Sequence, residues 1–289
     1  MNRFNLTSYL SHWAALGRLR WDAAAVLFLI VLCVLHVPPQ LVSYLPWEDP
    51  RSFRKPILFG LSTGLTLGSL LLLMNELRPR RGDHFLRTLL CVTLVIEVLL
   101  ITLQAWRQVP SHFNHSTGLD ITIELMMLCC IMLALIVILA LTVRVFQRDA
   151  FFRAIPARIL AQQTGMVFLA ISCVLGIGIT ILGNYLIFQG GSPETLGKAG
   201  VLKFPHGAVL HAIQTLVLWA WLCDVFKSAR SVASVAWLAI AHVFFLTYAV
   251  RQTLLGRSRW ESDDVGWLFL GFTLIAAVLS LLFAIWPRK

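Results

Sequence analysis

Charged residues are scarce in this sequence, and that scarcity excludes a soluble globular domain. Only 13% of the 289 residues are charged and 58% are hydrophobic, whereas a soluble domain carries about 25% charged residues. The mean hydropathy of +0.79 agrees with this composition. The sequence therefore predicts an integral membrane protein.

Several familiar motifs are also missing. The six cysteines form no CxxC pair and all fall inside predicted spans, so they are interpreted as small packing residues rather than a disulfide framework. The first apolar run passes signal-peptide length without a small-residue cleavage site, so we expect it to remain as an anchor. Neither the inverted repeats nor the pair of broken helices typical of many transporters is visible.

Eight apolar stretches are long enough to cross a bilayer, which requires about 20 helical residues. They lie near residues 22–44, 56–75, 88–106, 121–143, 162–188, 206–226, 232–252 and 265–286. The sequence predicts an all-α polytopic transmembrane helix bundle, with an N-terminal segment at 1–21 and one helical domain at 22–286. Pro38–Pro39 interrupts the first stretch, and we expect the chain beyond it to bend.

The net charge of +10 comes from Lys and Arg residues that cluster between these stretches. If the N-terminus is cytoplasmic, fifteen of the 24 Lys and Arg residues lie on the cytoplasmic side and nine on the outer side. The positive-inside rule then places both termini in the cytoplasm, as an even number of spans requires. Because the charge follows topology, we expect the lipid bilayer as a partner and no nucleic acid.

Glycine spacing predicts close contacts between helices. Gly60, Gly64 and Gly68 recur at every fourth position of the second span, which lets two helix backbones approach closely. The group at Gly176, Gly178 and Gly183 in the fifth span predicts a second close contact or a flexible point.

Polar residues inside or beside the spans are the candidates for function. Glu97 lies in the middle of the third span, where a carboxylate costs roughly 3 kcal/mol to insert. Further polar residues gather at the outer ends of several spans. Candidate catalytic residues are Glu97, Asp120 and Glu124; candidate substrate-binding residues are Lys55, Gln104, Arg107, Asn114, Gln214 and Arg251; candidate metal ligands are His112, His206 and His211.

Structural roles remain open for the same residues. Asp120 is also placed to cap a helix, and Arg107 and Arg251 to anchor helix ends at lipid headgroups. Glu97 could form a buried ion pair with Arg107. His206 and His211 are five residues apart, about 140° around a helix, so they do not share a face and form a weak metal motif.

The sequence resembles an uncharacterised family of bacterial multi-pass membrane proteins. The resemblance covers roughly residues 47–255. It is carried by Lys55-Pro56, by a Glu…Gln-x-x-Arg helix (Glu97, Gln104, Arg107), by a Ser-His-Phe-Asn…Thr…Asp segment (Ser111 to Asn114, Thr117, Asp120), and by His-x4-His-Ala-x-Gln (His206, His211, Ala212, Gln214). The segment around Gly190–Phe204 is shorter than the glycine-rich one of that family. The resemblance implies a multi-pass protein of the bacterial inner membrane and no particular reaction.

Membrane zinc hydrolases of the ceramidase and progestin-receptor type are similar only by analogy. They also place a Ser/His segment and an Asp near one membrane face, but their later histidine pair is His-x3-His. A shared arrangement of this kind does not imply a shared function.

Three function classes remain open on the sequence. An outward-facing site could hold haem b or a divalent metal for redox or hydrolytic chemistry, with imidazoles as ligands and Glu97 or Glu124 as general base. A proton-coupled transporter could use Glu97 to carry a proton. A non-catalytic accessory subunit in a homo- or hetero-oligomer would use the glycines and the ten tryptophans for contacts. In each enzymatic or transport case the ligand is an unknown small molecule or lipid.

Overall fold

A computed structural model describes residues 21–152 and 155–286 of the chain. The helices of this part are α1 Trp21–Leu35, α2 Val37–Val42, α3 Arg54–Glu76, α4 Asp83–Trp106, α5 Gly118–Val145, α6 Pro156–Phe188, α7 Lys203–Leu210, α8 Ala212–Val225, α9 Ser231–Leu254 and α10 Asp264–Ala284. Strands β1 Thr195–Leu196 and β2 Gly200–Val201 form an antiparallel hairpin between α6 and α7. The predicted N-terminal segment 1–21 lies outside the described residues except for Trp21.

Eight helical segments of the described chain are long and apolar enough to cross a membrane, and each coincides with a predicted stretch. Two of them are interrupted. The first breaks at His36 between α1 and α2, next to Pro38–Pro39, as the sequence indicated. The sixth breaks at His211 between α7 and α8. The interruption near Pro38–Pro39 was expected from the sequence, and the one at His211 was not.

The long helices run alternately up and down, and polar contacts identify which ends meet. At one end, the start of α1 meets α3 and α4 through Asp22, Asn75 and Arg87. Arg144 pairs with Asp83 at 2.5 Å at this end, which we name the basal end. The opposite, apical end carries the loop between α4 and α5 and the β-hairpin. Ser228 donates a hydrogen bond to the Phe283 carbonyl, so the finish of α10 is basal like the start of α1.

The glycine ridge of α3 packs against α1, as the sequence predicted. A Cβ on Gly60 would lie 2.9 Å from the carbonyl oxygen of Leu29, and one on Gly64 would lie 2.8 Å from Ile30 Cδ1. Only glycine permits this approach. The opposite face of α3 is thereby left to point into the bundle.

A second close crossing was not predicted from the sequence. A Cβ on Gly165 of α6 would lie 2.7 Å from the Cα of Ile213 in α8. The main core cluster is built from residues of α1, α3, α4, α5, α6 and α8, with Leu29, Leu70, Leu90 and Leu141 fully buried in it. The apical cavities described below open next to this core.

Candidate functional site

Two adjoining cavities lie towards the apical end of the bundle. The larger has a volume of about 430 Å³ and is named the basic lobe, because Arg54, Lys55 and Lys203 line it. The smaller has a volume of about 290 Å³ and is named the acidic lobe, because Glu97 and Glu124 line it. The lobes adjoin, since Glu97, His112, Ile131 and Thr180 line both.

The basic lobe is amphipathic. Its cations stand at the apical starts of α3 and α7, because Arg54, Lys55 and Lys203 are the first residues of those helices. Its deeper wall is apolar, with Ile138 and Leu169 among the residues that line it. Charge at the mouth of a cavity with apolar walls at depth suits an amphipathic anion.

The three cations differ in whether they have counter-ions. Arg54 pairs with Glu48, and Lys203 Nζ lies 2.5 Å from Glu194 Oε1. Although burial raises it, the hydrogen bond and charge of Lys203 hold the pKa of Glu194 below its usual value. Within the described residues, Lys55 makes no hydrogen bond or ion pair. Its ammonium group is the cation that remains available to a ligand.

The face of α3 opposite the glycine ridge carries the polar side of this lobe. Ser62 and Thr66 lie seven and eleven residues after Lys55, which places all three on one helical face, and all three line the lobe. This amphipathicity of α3 was visible in the sequence but was missed there. From the sequence, Lys55 was a candidate binding residue and the adjacent Arg54 was not.

Glu97 is 7% exposed and lines both lobes. Among the described residues it has no hydrogen-bond or ion-pair partner. The suggested ion pair between Glu97 and Arg107 is therefore not formed. A buried, unpartnered carboxylate that borders both cavities is the central polar group of the site.

Arg107 instead binds Asp120 in a compact cluster at the start of α5. Arg107 donates to Asp120 Oδ1 at 2.7 Å, and Gln104 Nε2 donates to the same oxygen at 3.0 Å. Thr117 is the N-cap of α5: its Oγ1 accepts from the Asp120 N–H and donates to Asp120 Oδ2 at 2.6 Å. The interpretation of Asp120 as the cap is thus wrong by three residues. None of these four side chains lines either lobe. The cluster therefore stabilises the loop between α4 and α5 and does not form a cavity wall.

His112 enters the site from the loop between α4 and α5. Its Nδ1 lies 2.9 Å from Ser111 Oγ, and its ring packs against Phe59 with centroids 6.0 Å apart. Burial, added to the charges of Lys55 and Lys203, lowers the pKa of His112 to about 3. The imidazole is therefore neutral at physiological pH, so one ring nitrogen donates a hydrogen bond and the other accepts one.

Phe113 fixes this loop against α6. Its backbone adopts φ 59°, which is uncommon for a side chain of this size. Its ring lies where a side chain on Gly183 would stand, since a Cβ there would be 2.5 Å from two ring atoms. The predicted close contacts at Gly183, and at Gly176 against His206, are confirmed; Gly178 has open space beside it.

The predicted histidine ligands do not converge. His206 lines the basic lobe, and its Nδ1–H donates to the Ser172 carbonyl at 2.7 Å, which leaves Nε2 unprotonated. His211 lines neither lobe, and its Nε2 lies 3.1 Å from Ser62 Oγ. In the part of the chain that the structure describes, no group of three His, Cys, Asp or Glu side chains is placed to hold a metal ion. A three-ligand zinc site gains no support, and haem stays a prediction.

The remaining candidates serve local structure or border the acidic lobe. Arg251 makes two hydrogen bonds to Asp263, at 2.7 and 2.8 Å, and Asp263 caps α10. Asn114 accepts from the Ser116 N–H at 3.2 Å within its own loop, and Gln214 Nε2 lies 3.4 Å from Thr66 Oγ1, just outside the basic lobe. Glu124 lines the acidic lobe.

The acidic lobe is rich in acceptors that lack donors. Asn184 Oδ1 is buried without a hydrogen bond, and so is Glu124 Oε2. His115 Nε2 lies 3.3 Å from that Glu124 oxygen but outside hydrogen-bonding geometry. Asn184 and Lys203 were not identified from the sequence, because only the packing of α6 and α7 places them at the cavities.

Searches against protein-family models, curated proteins and solved structures gave no match to this chain. The family resemblance drawn from the motifs therefore stays a prediction. Function has to be inferred from the two lobes and their chemistry.

Proposed function

We propose that this chain is a multi-pass protein of the bacterial inner membrane, with both termini cytoplasmic, that binds an amphipathic anion in its outward-facing basic lobe. The eight apolar helices and the many exposed aliphatic side chains along them, such as Ile136, Val174 and Leu274, support insertion into lipid. The excess of Lys and Arg at the basal end supports a cytoplasmic basal end.

The class of ligand is inferred from one observation: the available ammonium group of Lys55 lies at the mouth of an apolar cavity. Lys55 has no partner among the described residues, and it stands with Arg54 and Lys203 at the mouth of a 430 Å³ cavity. An anionic headgroup would accept charge-assisted hydrogen bonds from Lys55, while an acyl or prenyl chain would fill the apolar depth. The neutral imidazole of His112 and the carboxyl group of Glu97 would lie beneath that headgroup and form hydrogen bonds with it.

Replacing Lys55 with glutamine tests this assignment. Because a hydrogen bond to a charged group contributes about 1.5–3 kcal/mol, we expect Lys55→Gln to weaken binding of phosphatidylglycerol by about 10- to 100-fold. Native mass spectrometry of the detergent-solubilised protein, titrated with the lipid, measures this change. Lys198→Gln is the matched control, because Lys198 is an exposed lysine at the same end that lines neither lobe. Equal affinities in the wild type and Lys55→Gln would contradict the proposal.

Transport is a second candidate function, and the interrupted spans favour it. The one-residue interruption at His211 lies where that residue contacts Ser62 in the wall of the basic lobe. Interrupted helices at a binding site are a feature of many transporters. In this case Glu97 would carry the coupled proton. We expect Glu97→Gln to abolish proton-coupled movement of a fluorescent anionic lipid across proteoliposome membranes. Movement that persists unchanged in that variant would exclude this mechanism.

A further inference from the structure

The acidic lobe has a chemical character opposite to that of the basic lobe. Its buried acceptors without a hydrogen bond are Glu124 Oε2 and Asn184 Oδ1. The side chain of Glu97, which is 7% exposed, also lines the lobe. Buried acceptors of this kind cost free energy unless a donor reaches them. A cavity of about 290 Å³ leaves room for a ligand group that donates several hydrogen bonds.

The acidic side chains of the lobe favour a ligand group with a positive charge. Two carboxylates face the lobe, and the one histidine beside Glu124 is half exposed and out of hydrogen-bonding geometry. A primary ammonium group supplies three N–H donors and a positive charge, which suit a lobe lined by two acidic side chains and an amide oxygen. An acyl chain in the same place would leave them unsatisfied.

The two lobes meet at Glu97 and His112, so one ligand headgroup can reach both. We infer that the ligand is a zwitterion, with its anionic group at Lys55 and a primary ammonium group at Glu124, Asn184 and Glu97. This deepens the proposed function and rests on it, because the anionic half is the one already assigned to the basic lobe. A phosphoethanolamine headgroup has this chemistry, as does the same zwitterion free in solution.

Discrimination between headgroups tests the inference. Native mass spectrometry compares the affinities of three lipids that differ in the headgroup. Phosphatidylethanolamine carries a primary ammonium group, phosphatidylglycerol carries no cation, and phosphatidylcholine carries a cation without N–H donors. We expect the wild-type protein to bind phosphatidylethanolamine about tenfold more tightly than either of the others. Equal affinity for phosphatidylethanolamine and phosphatidylglycerol would overturn the inference.

Variants of the acidic lobe locate the ammonium group. Glu124→Gln keeps the size of the side chain and removes its charge, and we expect the ratio of phosphatidylethanolamine to phosphatidylglycerol affinity to fall about tenfold. Asn184→Ala is a second variant, and a smaller fall in the same ratio is expected. Glu261→Gln is the matched control, because Glu261 is an exposed apical glutamate that lines neither lobe. A ratio unchanged in both lobe variants would overturn the assignment of the ammonium group.

Soluble phosphoethanolamine separates the two sources of the zwitterion. Displacement of phosphatidylethanolamine by phosphoethanolamine supports a free zwitterion as ligand, and a preference that persists without displacement supports the lipid. The proposed function and this inference fail in different ways. Unchanged phosphatidylglycerol binding in Lys55→Gln contradicts the anion site itself, whereas an unchanged affinity ratio in Glu124→Gln contradicts only the ammonium site.

Discussion

Arg87→Met is expected to destabilise the folded protein by about 3–5 kcal/mol, because it removes one partner of a buried ion pair. Arg87 and Asp22 are 8% and 5% exposed, and their side chains lie 3.2 Å apart. Arg87 also donates to Asn75 Oδ1 at 2.6 Å, so it ties α4 to both α1 and α3. Methionine keeps much of the apolar stem and removes only the charge and donors. The loss would be measured as a lower midpoint of unfolding in detergent with increasing SDS.

A surface ion pair provides the control for Arg87. Arg51 pairs with Asp49 at 2.9 Å, but half of the Arg51 side chain is exposed. Exposed pairs contribute little, so Arg51→Met should leave the unfolding midpoint unchanged. Adding Asp22→Asn to Arg87→Met should recover part of the lost stability, because the buried side chain of residue 22 then carries no charge to desolvate. If Arg87→Met unfolds at the same midpoint as Arg51→Met, the basal cluster contributes no more than a surface pair.

The spans and the position of Glu97 within one of them could be predicted because they depend on local sequence. Twenty apolar residues in a row have few alternatives to a membrane helix, and a carboxylate within such a run is conspicuous wherever the helix packs. The glycine ridge of α3 is local in the same sense, since its spacing alone creates a smooth helix face.

Partner choice across helices could not be predicted. The sequence suggested Glu97 as the partner of Arg107, and the fold of the intervening loop places Arg107 on Asp120 instead. Lys203 and Asn184 have ordinary sequence surroundings, and only the packing of α6 and α7 brings them to the cavities. The histidines also have separate partners across the helices, since His211 lies beside Ser62 and His206 binds the Ser172 carbonyl.

Gly183→Ala is expected to weaken ligand binding at least tenfold although Gly183 lines neither lobe. The new methyl group would lie 2.5 Å from two atoms of the Phe113 ring and 3.0 Å from the Pro193 carbonyl oxygen. Because the backbone carbonyl has little room to yield, the Phe113 ring has to leave its place. Phe113 adjoins His112 in the chain and also lines the basic lobe, so its displacement moves the loop that closes the cavity.

A matched glycine in the same helix separates this displacement from the general effect of alanine. Gly178 has no atom within 4 Å of its Cβ position, and alanine in a helix interior is about 1 kcal/mol more favourable than glycine. Gly178→Ala should therefore bind phosphatidylglycerol as the wild type does and unfold at an equal or higher SDS concentration. Gly183→Ala should lose at least tenfold in affinity, a loss as large as that of Lys55→Gln, while its circular dichroism spectrum stays helical. Wild-type binding by Gly183→Ala would show that the Phe113 loop does not shape the cavity, and the basic lobe would then have to be formed by the helices alone.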